Sequence, residues 1–164
     1  MNAHTRSSSS LLVASLLTMA MVFTLLLLGC PSPEENDAPD DIEEATGLSQ
    51  WELEHGIGPI TESLELDEEI DEDLAAQGDD LYATLCESCH RMEARFVGPP
   101  LGKILEARTP EFVMNFMLNP QEMIREHPIG QELLAEYMVE MPYQNVSEEE
   151  ARAILEYLRA ESSN

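Results

Sequence analysis

Cys86-Glu87-Ser88-Cys89-His90 constrains this chain more than any other stretch of it. A C-x-x-C-H run is the attachment signature for c-type haem. The spacing has a chemical basis. Two thiols three positions apart each add to one haem vinyl group, and the imidazole of the next residue then meets the iron from the same side. Paired cysteines have two other readings. A thioredoxin-like dithiol wants a preceding strand and a βαβ unit around it. Half of a zinc site wants further ligands, yet the chain has no second C-x-x-C, and beyond the leader only His55 and His127 are spare.

The N-terminus speaks to the compartment. Residues 1–10 are polar, with Arg6 and no acid, and residues 11–28 form an apolar run broken only by Ser15, Thr18 and Thr24. Gly29-Cys30-Pro31 follows. A charged start, an apolar stretch and a small residue before the cut describe a cleaved leader over residues 1–29. Leu27-Leu28-Gly29-Cys30 looks like a lipobox, which implies lipidation at Cys30 and a membrane partner through that lipid anchor. An uncleaved helical anchor is the alternative reading. Either one places the remainder on the periplasmic side of a bacterial membrane, where c-type haem is attached. Lipid at Cys30 and haem at Cys86 and Cys89 account for all three cysteines. No disulfide is then expected, and the exported domain is held by its core and its cofactor.

Charge divides the rest. The whole chain has a formal net charge of −25, so no nucleic-acid partner is expected. Residues 30–73 contain acids and no Lys or Arg. Residues 30–47, with three prolines, read as an acidic flexible tether that cannot bury enough apolar surface to fold. Residues 48–73 contain the only Trp, Trp51, together with Leu53, Ile57 and two glycines. A disordered linker has no use for these, so the segment is expected to lie across the haem domain and cover apolar surface.

From residue 74 the pattern is helical. Leu74, Leu81, Tyr82 and Leu85 fall near helical spacing and lead into Cys86. Gly98-Pro99-Pro100-Leu101-Gly102 is a loop. Thr109-Pro110-Glu111 starts a helix with Phe112, Val113, Phe116 and Met117 on one face, and Asn119-Pro120 stops it. A further helix is expected over residues 129–139. Ser147-Glu148-Glu149-Glu150 is a capping box that opens the last helix. No alternating strand pattern of useful length appears, so the fold class is all-α.

Residues 73–159 resemble a monohaem class I cytochrome c. The resemblance rests on Gly78 and Tyr82 in the first helix, Cys86, Cys89 and His90, Gly98-Pro99-x-Leu101, Met141-Pro142, and a capped last helix with Tyr157. It implies first and last helices that cross with Gly78 at the contact, one covalent haem c, and His90 as an iron ligand whose second ring nitrogen donates to the Pro99 carbonyl. It also implies haem packing by Leu101. Arg108 lies near the family's propionate-binding position but aligns only with a one-residue shift. Among nine methionines, Met141 and Met138 are the candidates for the sixth iron ligand. Met141 is favoured: it precedes Pro142, lies past the expected helix and comes six residues before the capped one. Met138 falls inside the expected helix, and His127 and His55 are remote alternatives. Met114 and Met117 read as core filler.

With both axial positions filled by protein, such a haem carries single electrons and leaves no open site for catalysis, so no enzyme activity is expected. The leading expectation is a membrane-tethered carrier between respiratory complexes, with redox partners that present basic docking surfaces. The pattern of residues 51–59 before the domain and 141–145 after it looks like cytochromes of anaerobic respiratory systems, including nitrous oxide reduction. A gas sensor or small haem enzyme, and a fixed subunit of a larger complex, are the alternatives.

Overall fold

Most helices of the computed structural model, which describes residues 38 to 162, begin at a capping residue or a proline. Eight helices and no strand occur among these residues: α1 (Ala38–Thr46), α2 (Gln50–His55), α3 (Glu72–Leu85), α4 (Ile104–Ala107), α5 (Pro110–Leu118), α6 (Pro120–Glu126), α7 (Pro128–Tyr137) and α8 (Glu148–Ser162). The leader, Cys30 and residues 31–37 of the tether lie outside the described residues. No helix among those described is long and apolar enough to cross a membrane.

The tether reading needs one correction. Residues 38–46 are helical rather than unfolded. The helix is closed locally: Gly47 takes a positive φ of 72° and its N–H bonds to Glu43 O at 2.7 Å, while Thr46 Oγ1 donates to Ile42 O. Ile42 stays exposed.

Helices α3 and α8 make the central contact. Asp71 caps α3 by accepting the Leu74 N–H at 3.0 Å. Ser147 and Glu150 form the reciprocal box at the start of α8. A Cβ placed on Gly78 would come within 2.0 Å of Ala153 O, so only glycine allows the two backbones this close. Tyr82 and Tyr157 pack beside that point with ring centroids 5.3 Å apart. Ile154, Leu155 and Leu158 of α8 complete the core with Val113, Met114 and Met117 of α5.

Between α5 and α7 the chain makes three short helices in succession, each opened by a proline: Pro110, Pro120 and Pro128. Proline cannot continue a helix, but its fixed φ suits a first turn. Asn119-Pro120 therefore both stops α5 and starts α6, a helix absent from the sequence reading. The helix expected over residues 129–139 ends at Tyr137. Met138 is its cap, in the left-handed region at φ 57°, and is 83% exposed.

Residues 48–71 wrap this bundle with little secondary structure, and buried side chains satisfy their backbone instead. Asn115, wholly buried, accepts from Ile60 N at 2.9 Å and donates to His55 O, Gly56 O and Ile60 O. Glu111 accepts from Leu64 N at 2.8 Å, and Glu156 from Asp71 N at 3.0 Å. Glu156 is itself buried between Arg152 and Arg159. Burial opposes its ionisation, but the two arginine bonds and the Asp71 N–H outweigh that and hold its carboxyl below the usual range. Ile57 packs with Phe112 and Met123 in a second apolar cluster beneath this strap.

Candidate functional site

The C-terminal end of α3 turns the two cysteines and the histidine onto one side. Cys86 N bonds to Tyr82 O, and Cys89 N and His90 N both bond to Cys86 O at 3.0 and 2.9 Å. The chain then folds back on itself. Gly98 N bonds to Cys89 O, Leu101 N to Arg91 O and Gly102 N to Met92 O, each within 3.0 Å. This stitching brings Pro99 beside His90, whose Nδ1–H donates to the Pro99 carbonyl at 2.9 Å. A Cβ on Gly98 would sit 2.6 Å from His90 Cε1, so the backbone lies directly against the ring. The imidazole is thus fixed in tautomer and rotation, with Nε2 left available.

These residues line an apolar cleft of about 360 Å³, within the range of cofactor sites. Cys86, Cys89, His90, Pro99, Leu101 and Met141 all face it. Its other walls come from Phe112, Val113, Phe116 and Met117 of α5, Leu133, Leu134 and Tyr137 of α7, and Ile154 and Leu158 of α8. Phe116 and the α7 residues were not singled out for the site from the sequence. Their helical spacing marks them as apolar-face residues, and only the tertiary fold shows that the face borders a cleft.

The electrostatics suit a neutral, sulfur-linked cofactor. Burial pushes the Cys86 thiol up to about 11, with the neighbouring Cys89 adding to the effect. A thioether at that position carries no charge and escapes the penalty. Burial also moves His90 below its ordinary value, against the smaller opposing effect of the Pro99 bond, so the ring keeps a lone pair at neutral pH. Cys86 and Cys89 are unpaired with each other. Among the described residues no group of three or more His, Cys, Asp or Glu side chains comes together for a metal, which leaves the zinc reading without ligands. A flat apolar cleft with two thiols, one oriented imidazole and one thioether on its walls fits haem.

The remaining candidates lie elsewhere. His55 stacks on Trp51 with centroids 3.9 Å apart and meets Thr109 Oγ1 at 3.0 Å. His127 is buried with both ring nitrogens engaged, Nε2 by Glu52 O and Leu53 O and Nδ1 by Ile129 N. Neither lines the cleft. Met138 points away from it into solvent. Arg108 lies over the Phe112 ring at 5.4 Å, outside the cleft that Phe112 helps to line.

Residues 75–162 match the Cytochrome c family. A cytochrome c from Rhodothermus marinus is 45% identical, with a TM-score of 0.67, over 71% of this chain and 99% of that one. Two structures of an engineered form of the Rhodothermus marinus protein, Rma TDE, match over 69% of this chain and 97% of theirs. One is 45% identical with a TM-score of 0.65. The other is 46% identical with a TM-score of 0.63 and is described as bound to a carbene intermediate, 1-ethoxy-1-oxopropan-2-ylidene. No curated protein matches the chain. Family, fold and site chemistry agree: the chain belongs to the cytochrome c family, a class I c-type cytochrome with one covalently bound haem c.

Proposed function

We propose that this cytochrome is a membrane-tethered carrier of single electrons, anchored by lipid at Cys30, with His90 and Met141 as the axial ligands of its haem. The observation that carries the reading is the placement of Met141 on the same cleft as the fixed His90 ring. When bound, the haem supplies reversible one-electron exchange. Cys86 and Cys89 hold it, His90 orients on Pro99, and Leu101, Phe112 and Phe116 exclude water. With a side chain at each axial position, no place remains for a substrate.

Partner docking in this reading uses the rim of the cleft. Val97 and Val139 line it and are also exposed, and Phe96 and Tyr143 lie exposed close by in sequence. A terminal reductase, such as one for nitrous oxide, or an oxidase would accept the electron through a surface that tolerates this apolar rim and complements the acidic body with basic residues.

A second reading has one observation in its favour: an engineered relative is described with a carbene intermediate bound. In that reading the sixth position opens to a small molecule. Absorption spectra of the reduced protein with and without carbon monoxide test both. The carrier reading expects no shift in the wild type, a large shift in Met141→Ala and none in Met138→Ala. A shift in the wild type would favour the second reading, and a shift in Met138→Ala alone would reassign the ligand.

A further inference from the structure

Residues 139–146 carry Met141 past the cleft without forming a single backbone–backbone hydrogen bond among the described residues. Their placement comes from the two ends and from buried side chains such as Val146. The leading end is α7, which lines the cleft with Leu133, Leu134 and Tyr137 and stops at Met138, three residues before Met141. The position of α7 is therefore one of the determinants of that of Met141.

His127 holds the other end of α7. Its ring is 1% exposed. Nδ1 accepts the Ile129 N–H at 3.1 Å and so caps the helix. This requires the proton to be on Nε2, which donates to Glu52 O at 3.1 Å and Leu53 O at 3.3 Å on α2 of the strap. The same ring stands edge-on to Phe112, centroids 5.3 Å apart, and Phe112 forms part of the cleft wall. One buried side chain thus joins the strap, the helix that delivers Met141 and the cleft wall. A cap alone could be supplied by Asn, Ser or Asp, the usual residues at such a position. The imidazole, with an acceptor on one side and a donor on the other, both caps α7 and reaches the strap.

We propose that His127 is a positioning residue for the sixth ligand: by tying α2 to the start of α7 it sets how firmly Met141 is held over the cleft. The proposal rests on the reading of Met141 as that ligand. Two conservative variants divide the ring's two bonds. His127→Asn retains an acceptor for the Ile129 N–H and loses the reach to the strap. His127→Gln retains a donor for the strap carbonyls and loses the cap.

The experiment measures imidazole binding to the ferric holoprotein, together with the far-red absorption band of methionine-ligated ferric haem. Both variants should bind imidazole about 5- to 30-fold more tightly than the wild type, the ratio that follows from loss of one or two buried contacts. The far-red band should weaken in parallel. Glu156→Gln serves as control, since it breaks a buried ion pair on α8 and should lower stability with imidazole affinity unchanged. Wild-type affinity in both His127 variants, or a change in only one, overturns the tie. Equal tightening in Glu156→Gln also overturns it, because general destabilisation would then be the cause. Met141→Ala separates the two levels. If it tightens imidazole binding while the His127 variants do not, the proposal alone has failed. If it leaves binding unchanged, the ligand reading has failed and takes the proposal with it.

Discussion

Asn115→Ala is the sharpest test of how the strap is held. The wild-type side chain is fully buried and takes part in four bonds to the backbone of residues 55–60. Alanine would leave the Ile60 N–H buried with no acceptor, at a cost of about 1–3 kcal/mol. Three carbonyls would each lose a donor, a smaller penalty because carbonyl oxygens tolerate partial satisfaction better. The four bonds share one side chain and do not add, so the expected loss is about 3 kcal/mol. That is a large part of the 5–15 kcal/mol typical of a whole domain. With a urea slope of about 1–3 kcal/mol/M, the midpoint should fall by about 1–3 M. Trp51 sits in α2 of the strap and is the chain's only Trp, so its fluorescence reports this region while far-ultraviolet dichroism reports the helices. In the variant the Trp51 transition should come first and separate from the helical one. A midpoint shift below about 0.3 M by both probes would refute the idea that Asn115 replaces secondary structure for the strap.

Gly78→Ala should destabilise by about 3 kcal/mol or more despite alanine's better helix propensity, since its Cβ would meet the Ala153 carbonyl at 2.0 Å; thermal unfolding of the holoprotein checks the sign. Replacing Cys86 and Cys89 together by Ser should abolish covalent haem and with it the native fold, as judged by dichroism of the purified chain; a folded, haem-free double mutant would contradict it. Burial, reinforced by Arg108, lowers the His127 value, so the unfolded chain binds more protons there than the folded one. His127 should therefore contribute stability that is full above about pH 6.5 and lost as pH falls towards its depressed folded value, a slope that denaturant midpoints should show flattened in His127→Gln.

The haem half of the structure was legible because its chemistry is local. Five consecutive residues supply both thiols and the imidazole, and Pro99 and Leu101 follow within one short loop. Gly78, Tyr82 and Tyr157 were marked by the family resemblance, and the structure places them at the close helix crossing that it implies. What escaped was non-local or ambiguous in one dimension. Asn119-Pro120 and His127-Pro128 read equally well as stops and as starts, and only packing of Met123 and Ile124 in the core makes the seven residues between them a helix. Residues 38–46 were read as coil from their charge, yet a short helix forms there, closed at its end by Thr46 and Gly47. Asn115 and Glu111 looked like polar positions on an amphipathic helix. Their partners lie 47 to 60 residues earlier in the chain, beyond the reach of any periodicity argument.

The charge distribution and the rim of the cleft do different work in the proposed carrier. The chain is strongly acidic as a whole, and the acids are concentrated away from the haem motif, with residues 30–73 bearing no Lys or Arg. Such a field acts at long range, attracting a basic partner before contact and weakening as salt screens it beyond about 10 Å. Near the rim the pattern changes. Arg91 lies over Phe96 at 4.2 Å, and Arg95 lies over Tyr137 at 4.0 Å while paired with Glu136 at 2.6 Å. Arg95 offsets Glu136, and the two arginines cover the exposed Phe96 ring and the half-buried Tyr137 ring near Val97 and Val139. In this reading a partner drawn in by the acidic body would meet the apolar rim of the cleft, where Val97 and Val139 are exposed beside the acid Glu140. Contact of that kind is short-lived, because its attraction is spread over the whole body and its local interface carries few directional bonds. A carrier needs that combination: fast arrival under a long-range field, and release once the electron has moved.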